Sequence, residues 1–204
     1  MLFDDTYRTI KNPSEGIFRD KGSKFLAFAY PIKTIEDIKP LLTQLRTIHP
    51  KANHHCWGAR ITPDRAVFKL NDDGEPSGTA GRPILNAMLS ADITNMLIVV
   101  VRYFGGTLLG VPGLINAYKT AAQDALSNAE IVTKTINDIY ELSFDHTLMN
   151  HVMRIVKEEG LLIISQDYVD QNICQVAIRK SNVNKAVGLF NNLHGLKVKF
   201  LYSN

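Results

Sequence analysis

The chain has 204 residues, 45% of them hydrophobic and 21% charged, a composition of folded globular proteins and not of disordered ones. Its 23 Lys+Arg against 20 Asp+Glu leave a formal net charge of +3, spread evenly on either side of residue 130, so bulk charge gives no argument for nucleic-acid binding. No apolar run reaches the ~18 residues of a membrane-spanning helix, the acidic start MLFDDTYRTI does not read as a signal peptide, and two distant cysteines, Cys56 and Cys174, suit a reducing cytoplasm better than a disulfide framework.

In chain order, Tyr7 to Ile10 and Ser14 to Phe18 read as a hairpin about Asn12-Pro13. KFLAFAYPI (Lys24 to Ile32) reads as a strand. Thr34 to His49 carries Ile35, Ile38, Leu41, Leu42, Leu45 and Ile48 at helical spacing, with Thr34 as N-cap and Glu36-Asp37 in the first turn. His54 to Ile61 and Val67 to Leu70 read as a strand pair about Pro63-Asp64, and Ala80 to Leu89 as a helix. Met96 to Tyr103, short, apolar and rich in β-branched residues, reads as a buried strand. Leu114 to Leu126 places Leu114, Ala117, Tyr118, Ala121, Ala122 and Ala125 on one helical face. These elements predict an α/β sandwich with a mixed sheet, ending near Glu130.

Residues 127 to 134 read as a short connection. Beyond it, Thr135 to Phe144 predicts a strand, and Leu148 to Glu159 a helix with Leu148, Val152, Ile155 and Val156 inward and Gly160 at its end. Leu161 to Val169 and Gln171 to Arg179 predict two strands about Asp170. Val183 to Leu193 predicts a helix with Val183, Ala186, Val187 and Phe190 inward, closed by Gly195, and Leu196 to Leu201 a last strand. The order βαββαβ is the ferredoxin-like plan, with both helices on one face of a four-stranded sheet. The fold class expected is therefore α+β, with domains at 1–130 and 131–204.

Two segments stand out as binding loops. Between the buried strand and its helix lies a turn with Gly105, Gly106, Gly110 and Gly113, with Pro112 near the first helical turn and Arg102 beside it. Free N–H groups at such a helix start can face an anion, although the spacing matches neither G-x-G-x-x-G nor the P-loop. The alternative is that these glycines only permit positive φ and close packing. The second segment, NDDGEPSGTAGR (Asn71 to Arg82), gathers Asp72, Asp73, Glu75, Ser77, Thr79 and Arg82 among three glycines. It reads either as a recognition loop or as a surface loop whose Ser77 or Thr79 caps the next helix. The acids lack EF-hand spacing, and His54, sharing a strand face with Cys56 while His55 points away, has too few partners for a closed zinc site. No cofactor and no metal are expected. His49 and His194 read as surface positions, and Trp57, in mid-strand, as core.

SKFLAFAYPI (Ser23 to Ile32), NHHCWGARI (Asn53 to Ile61), GEPSGTAGRPIL (Gly74 to Leu85) and RYFGGTLLGVPGLINAY (Arg102 to Tyr118) together resemble, in order and spacing, the signature blocks of the YigZ/IMPACT family. One departure is Val111-Pro112, where many members carry small residues and where Pro removes an N–H. The resemblance implies a first domain similar to the second domain of ribosomal small-subunit protein five. It implies a second domain similar to the ferredoxin-like fifth domain of elongation factor G. Eukaryotic members look like translational regulators that compete for an activator of the general-control kinase.

The expectation is a non-enzymatic binding protein linked to translation regulation, contacting RNA, the ribosome or a translation factor. Its groove would be formed by Asp73, Glu75, Ser77, Thr79, Arg82, Arg102, Phe104, Gly105, Gly106 and Gly110. Arg82 and Arg102 would meet phosphate there while Tyr103 or Phe104 stacks a base; or Arg102 pairs with Asp72, Asp73 or Glu75 and ties the two loops together. The alternative activity is a phosphotransferase or hydrolase using the same groove. Oligomeric state is not legible.

Overall fold

A computed structural model describes residues 5–63, 66–167 and 172–203. The chain forms two compact units. One runs from Tyr7–Lys134; the other joins Thr135–Asn204 with the N-terminal residues through Thr6.

The larger unit is built on β2 (Ser14–Asp20), β3 (Ser23–Pro31), β4 (His54–Ile61), β5 (Val67–Asn71) and β6 (Met96–Tyr103), in the order β2-β3-β6-β4-β5. All four neighbouring pairs are antiparallel. This corrects the expected mixed sheet: the helical connections from β3 to β4 and from β5 to β6 join strands that run the same way, but an antiparallel strand lies between the two members of each pair, so no parallel neighbours arise. Helices α2 (Gly81–Ser90) and α3 (Gly110–Ser127) cover one face, packing on Phe25, Ala27, Ala29, Cys56, Ile98 and Val100. Helix α1 (Ile38–Ile48) covers the other through Ile38 and Leu45, packing with Ala59, Ile61, Leu97, Val99 and Val101. Alternate residues of β6 thus enter two different cores, so the strand reads as an unbroken apolar run. Trp57 packs at the edge of the α1-side core. His49, expected at the surface, is half-buried, with Nδ1 2.9 Å from the Tyr103 hydroxyl.

The expected hairpin about Asn12-Pro13 does not form. Strand β1 (Thr6–Ile10) pairs with β7 (Ile131–Thr135), a segment expected to be only a connection. The hairpin partner of β2 is β3, through Lys21 and Gly22 with φ of 44° and 82°. Two successive positive-φ residues make the turn whose twist suits a two-residue hairpin, a geometry Asn-Pro cannot reach because proline fixes φ near −65°.

The smaller unit contains β8 (Asn137–Phe144), α4 (Met149–Glu158), β9 (Leu162–Asp167), β10 (Asn172–Arg179), α5 (Val183–Asn191) and β11 (Lys197–Ser203). Its sheet order is β11-β8-β10-β9, antiparallel throughout. Val152, Ile155 and Val156 of α4 and Ala186 and Phe190 of α5 share one core with Leu142, Phe144, Cys174, Val176 and Ile178. Asp5 joins this unit: Arg179 donates to both its carboxylate oxygens, at 2.6 and 2.9 Å. The turn centres expected at Asp64 and Asp170 lie outside the described residues.

Candidate functional site

The loop after β5 is held from within. Asp72, and not Ser77 or Thr79, caps α2: its Oδ1 accepts the N–H groups of Ala80 and Gly81 at 3.1 and 2.8 Å, and its Oδ2 that of Gly78 at 2.9 Å. The two oxygens of a carboxylate can serve all three donors at once, more than the two lone pairs of a single hydroxyl can, and negative charge suits a helix start. Asp73 accepts from the His55 backbone N–H at 2.7 Å and from Arg46 at 3.1 Å. The Thr79 hydroxyl donates to the Pro76 carbonyl at 2.7 Å. These bonds present Glu75 inward, under the turn that follows β6.

Arg102 closes β6 and meets Glu75: Nη1 donates to Oε1 at 2.5 Å, with side chains only 6% and 3% exposed. The Tyr118 hydroxyl of α3 donates to the same oxygen at 2.7 Å. The Cys56 thiol donates to the Asp72 carbonyl at 2.9 Å, with the Tyr118 hydroxyl oxygen 3.3 Å away. Burial raises the Tyr118 and Cys56 pKa values far above their ordinary range, so one is a neutral phenol donor and the other a protonated thiol. The guanidinium carbon lies 5.4 Å from the Phe25 ring centroid and 5.6 Å from that of Phe104. Arg102 Nε is buried with no hydrogen-bond acceptor among the described residues. His54 turns Nδ1 toward the Asp73 carbonyl at 2.8 Å, an acceptor only, so Nδ1 carries a proton and Nε2 faces Glu75 Oε1 at 3.8 Å.

Above this network lies a groove of about 430 Å³. Its lining combines Asn53, His54, Glu75, Pro76 and Arg102 with Phe104, Leu108, Leu109, Gly110, Val111 and Leu114. Asn53 fixes this end of β6, accepting the Phe104 N–H through its side chain at 2.9 Å and donating its own N–H to the Arg102 carbonyl at 2.9 Å. Leu108, Val111 and Phe104 are 83%, 52% and 45% exposed, a run of apolar side chains at the rim.

The structure therefore brings Glu75, Arg102, Phe104 and Gly110 into one groove, from both predicted loops. Asp73 and Thr79 are occupied in building the loop, and Ser77 and Arg82 are exposed outside the lining. Gly105 and Gly106 also lie outside it. Gly105 serves packing, since a Cβ there would fall 1.9 Å from the Gly22 carbonyl carbon. The expected glycine- and arginine-lined surface is in fact largely apolar, with its one arginine paired. Leu108, Leu109 and Leu114 line the groove and were not expected there; Leu114 is expected only on the buried face of its helix, and the signal that could have found the others is apolar residues inside a glycine turn. Tyr118 was legible only as a core position. Among the described residues no group of three or more His, Cys, Asp or Glu is arranged to hold a metal ion.

The Impact N-terminal domain family matches residues 21–126, which include both loops and the groove. An IMPACT family member of Haemophilus influenzae is 34% identical over 150 residues, 72% of this chain and 73% of its own. The IMPACT family member YigZ of Escherichia coli is 32% identical over 165 residues, 80% of this chain and 81% of its own. A crystal structure of a hypothetical protein, 28% identical, superposes with a TM-score of 0.75 over 97% of this chain and 98% of that one. On the matched domain and on relatives aligned along most of their length, this chain belongs to the IMPACT family.

Proposed function

We propose that this protein is a non-enzymatic binding protein of translation regulation, and that its groove docks an apolar segment of a protein partner of the translation-factor kind. The observation that carries the reading is the state of Arg102. The only fixed cation in the lining is already bonded to Glu75, while Leu108, Val111 and Phe104 stand exposed beside it. A phosphate-tracking surface needs cations facing outward; exposed aliphatic and aromatic side chains around a concave site favour a protein segment. The regulatory role rests on the family, whose eukaryotic members resemble translational regulators. The strand order of the smaller unit supports reading it as ferredoxin-like, similar to the fifth domain of elongation factor G, and the family resemblance supports likening the larger unit to the second domain of ribosomal small-subunit protein five.

The test titrates the protein with single-stranded RNA and with the apolar tripeptide acetyl-leucyl-phenylalanyl-leucine amide, each at low and high salt. Peptide binding that survives salt and is abolished by Leu108→Glu supports the reading. RNA binding that falls steeply with salt and is untouched by Leu108→Glu, with no peptide binding, overturns it. The translation link is read separately, as an altered polysome profile in cells carrying Leu108→Glu.

A further inference from the structure

We infer that the segment docked in this groove bears a run of acidic side chains, received by the turn of the β2–β3 hairpin beside the groove. The inference rests on the docking role proposed above and names the charge of the partner. Residues 19–24 at the end of the hairpin hold three cations, Arg19, Lys21 and Lys24, around a hollow of about 410 Å³. Arg19 and Lys24 stand directly opposite each other in the β2–β3 register, so their side chains share one face of the sheet. Like charges so placed work against strand pairing. No carboxylate offsets them: among the described residues, none of the three forms an ion pair. The one acid of this hairpin end, Asp20, follows Arg19 along the strand and so points to the other face. Cations that the fold leaves uncompensated are complementary to an anionic partner.

The hairpin is continuous with the groove. Phe104 lines the groove, and the next residue, Gly105, is seated against the hairpin turn: its N–H donates to Ser23 Oγ at 3.1 Å, and a Cβ on it would fall 1.9 Å from the Gly22 carbonyl carbon. Gly105 and Gly106 are both exposed, and a Cβ at Gly106 would meet nothing within 4 Å. Bare backbone therefore separates the apolar rim from the cations, and an extended segment can cross it at close range. The segment that fits is apolar where it meets Leu108, Val111 and Phe104, and acidic a few residues along, where it meets Arg19, Lys21 and Lys24. A single-stranded RNA would match the cations alone. A strongly hydrated polyanion gains nothing from Leu108 and Val111, which stand exposed on the same run.

The experiment measures, by titration calorimetry, the affinity of acetyl-leucyl-phenylalanyl-leucyl-diglycyl-triglutamyl amide, of the peptide with its two halves in the reverse order, and of both with glutamine in place of glutamate. The better-bound glutamate peptide should bind about tenfold tighter than its glutamine counterpart at low salt, and the difference should shrink as salt rises. The combined variant Arg19→Gln, Lys21→Gln, Lys24→Gln should lose that difference, keep its melting temperature and bind the glutamine peptide as wild type does. Lys21→Gln alone, at the exposed tip of the turn, should narrow the difference. Equal affinity for the glutamate and glutamine peptides overturns the inference and leaves the apolar docking reading standing. Absence of binding by all four overturns the two together. A difference that persists in the combined variant overturns the assignment to the hairpin. Oligouridylate that binds more tightly than the glutamate peptide, and is lost in the combined variant, makes the hairpin a phosphate site and overturns the assignment to a protein segment.

Discussion

Glu75 and Arg102, 27 positions apart, form a single ion pair that joins the loop after β5 to the end of β6. Both side chains are out of water, the carboxylate is completed by Tyr118, and the guanidinium lies near the rings of Phe25 and Phe104. Removing one partner strands a buried charge, a loss of about 3–5 kcal/mol. Glu75→Ala or Arg102→Ala should therefore lower the melting temperature by more than about 6 °C for a chain of this size. The double change Glu75→Leu with Arg102→Met should be far less damaging than the sum of its parts. Thermal unfolding of the two singles and the double checks this; additive losses would show that the pair is not coupled.

Gly105 and Gly106 are adjacent in sequence and different in role. A methyl group at Gly105 would meet the backbone of Gly22 and Ser23 at 1.9 and 2.2 Å, where no side chain can move aside. Gly106 has φ of 87° and open space around its Cα. Gly105→Ala should lose about 1–3 kcal/mol or more through overpacking, and Gly106→Ala only about 1–2 kcal/mol of left-handed strain. Chemical denaturation of both variants gives the ranking, and equal losses would contradict it.

The Asp5–Arg179 pair makes the smaller unit sensitive to acid. Hydrogen bonds from the Arg179 side chain, then from Ser181, hold the Asp5 carboxyl well below the usual carboxylate range. A carboxyl lowered in the folded state stabilises the fold above its unfolded value, near 3.9, and loses that contribution as pH falls through the acid range. Wild type should thus exceed Asp5→Asn in stability at pH 6, and the gap should close toward pH 2. A gap that stays constant over that range would assign the effect to packing and not to the charge.

Cys56 and Cys174 are fully buried, and burial pushes both thiols upward in pKa. Since the thiolate is the reactive form, neither should react with a disulfide reagent such as dithiobis-nitrobenzoate in the native protein. Both should react promptly once denaturant is added. Rapid native-state labelling of Cys56 would contradict its burial beneath Tyr118 and Asp72.

The sequence by itself determined the elements with strong periodicity. The β6 run, the amphipathic faces of α1, α3, α4 and α5, and the close of α4 at Gly160 were legible, because burial on one face leaves a period that needs no knowledge of neighbours; α5, expected to run to Leu193 and close at Gly195, ends at Asn191 instead. It also marked the two loops that meet in the groove. Only the tertiary structure decided the partners. That β1 pairs with β7, and that Asp72 caps α2 from eight and nine residues away, depends on chain reversals that local pattern does not encode. The character of the groove was decided in the same way. Arg102 was visible as a cation beside a glycine turn, but whether it faces a ligand or a carboxylate depends on where Glu75 is placed. Folding placed it 2.5 Å away, out of water, where an unpaired charge is too costly to remain. That pairing left the leucines of the turn, and not the arginine, to form most of the exposed rim.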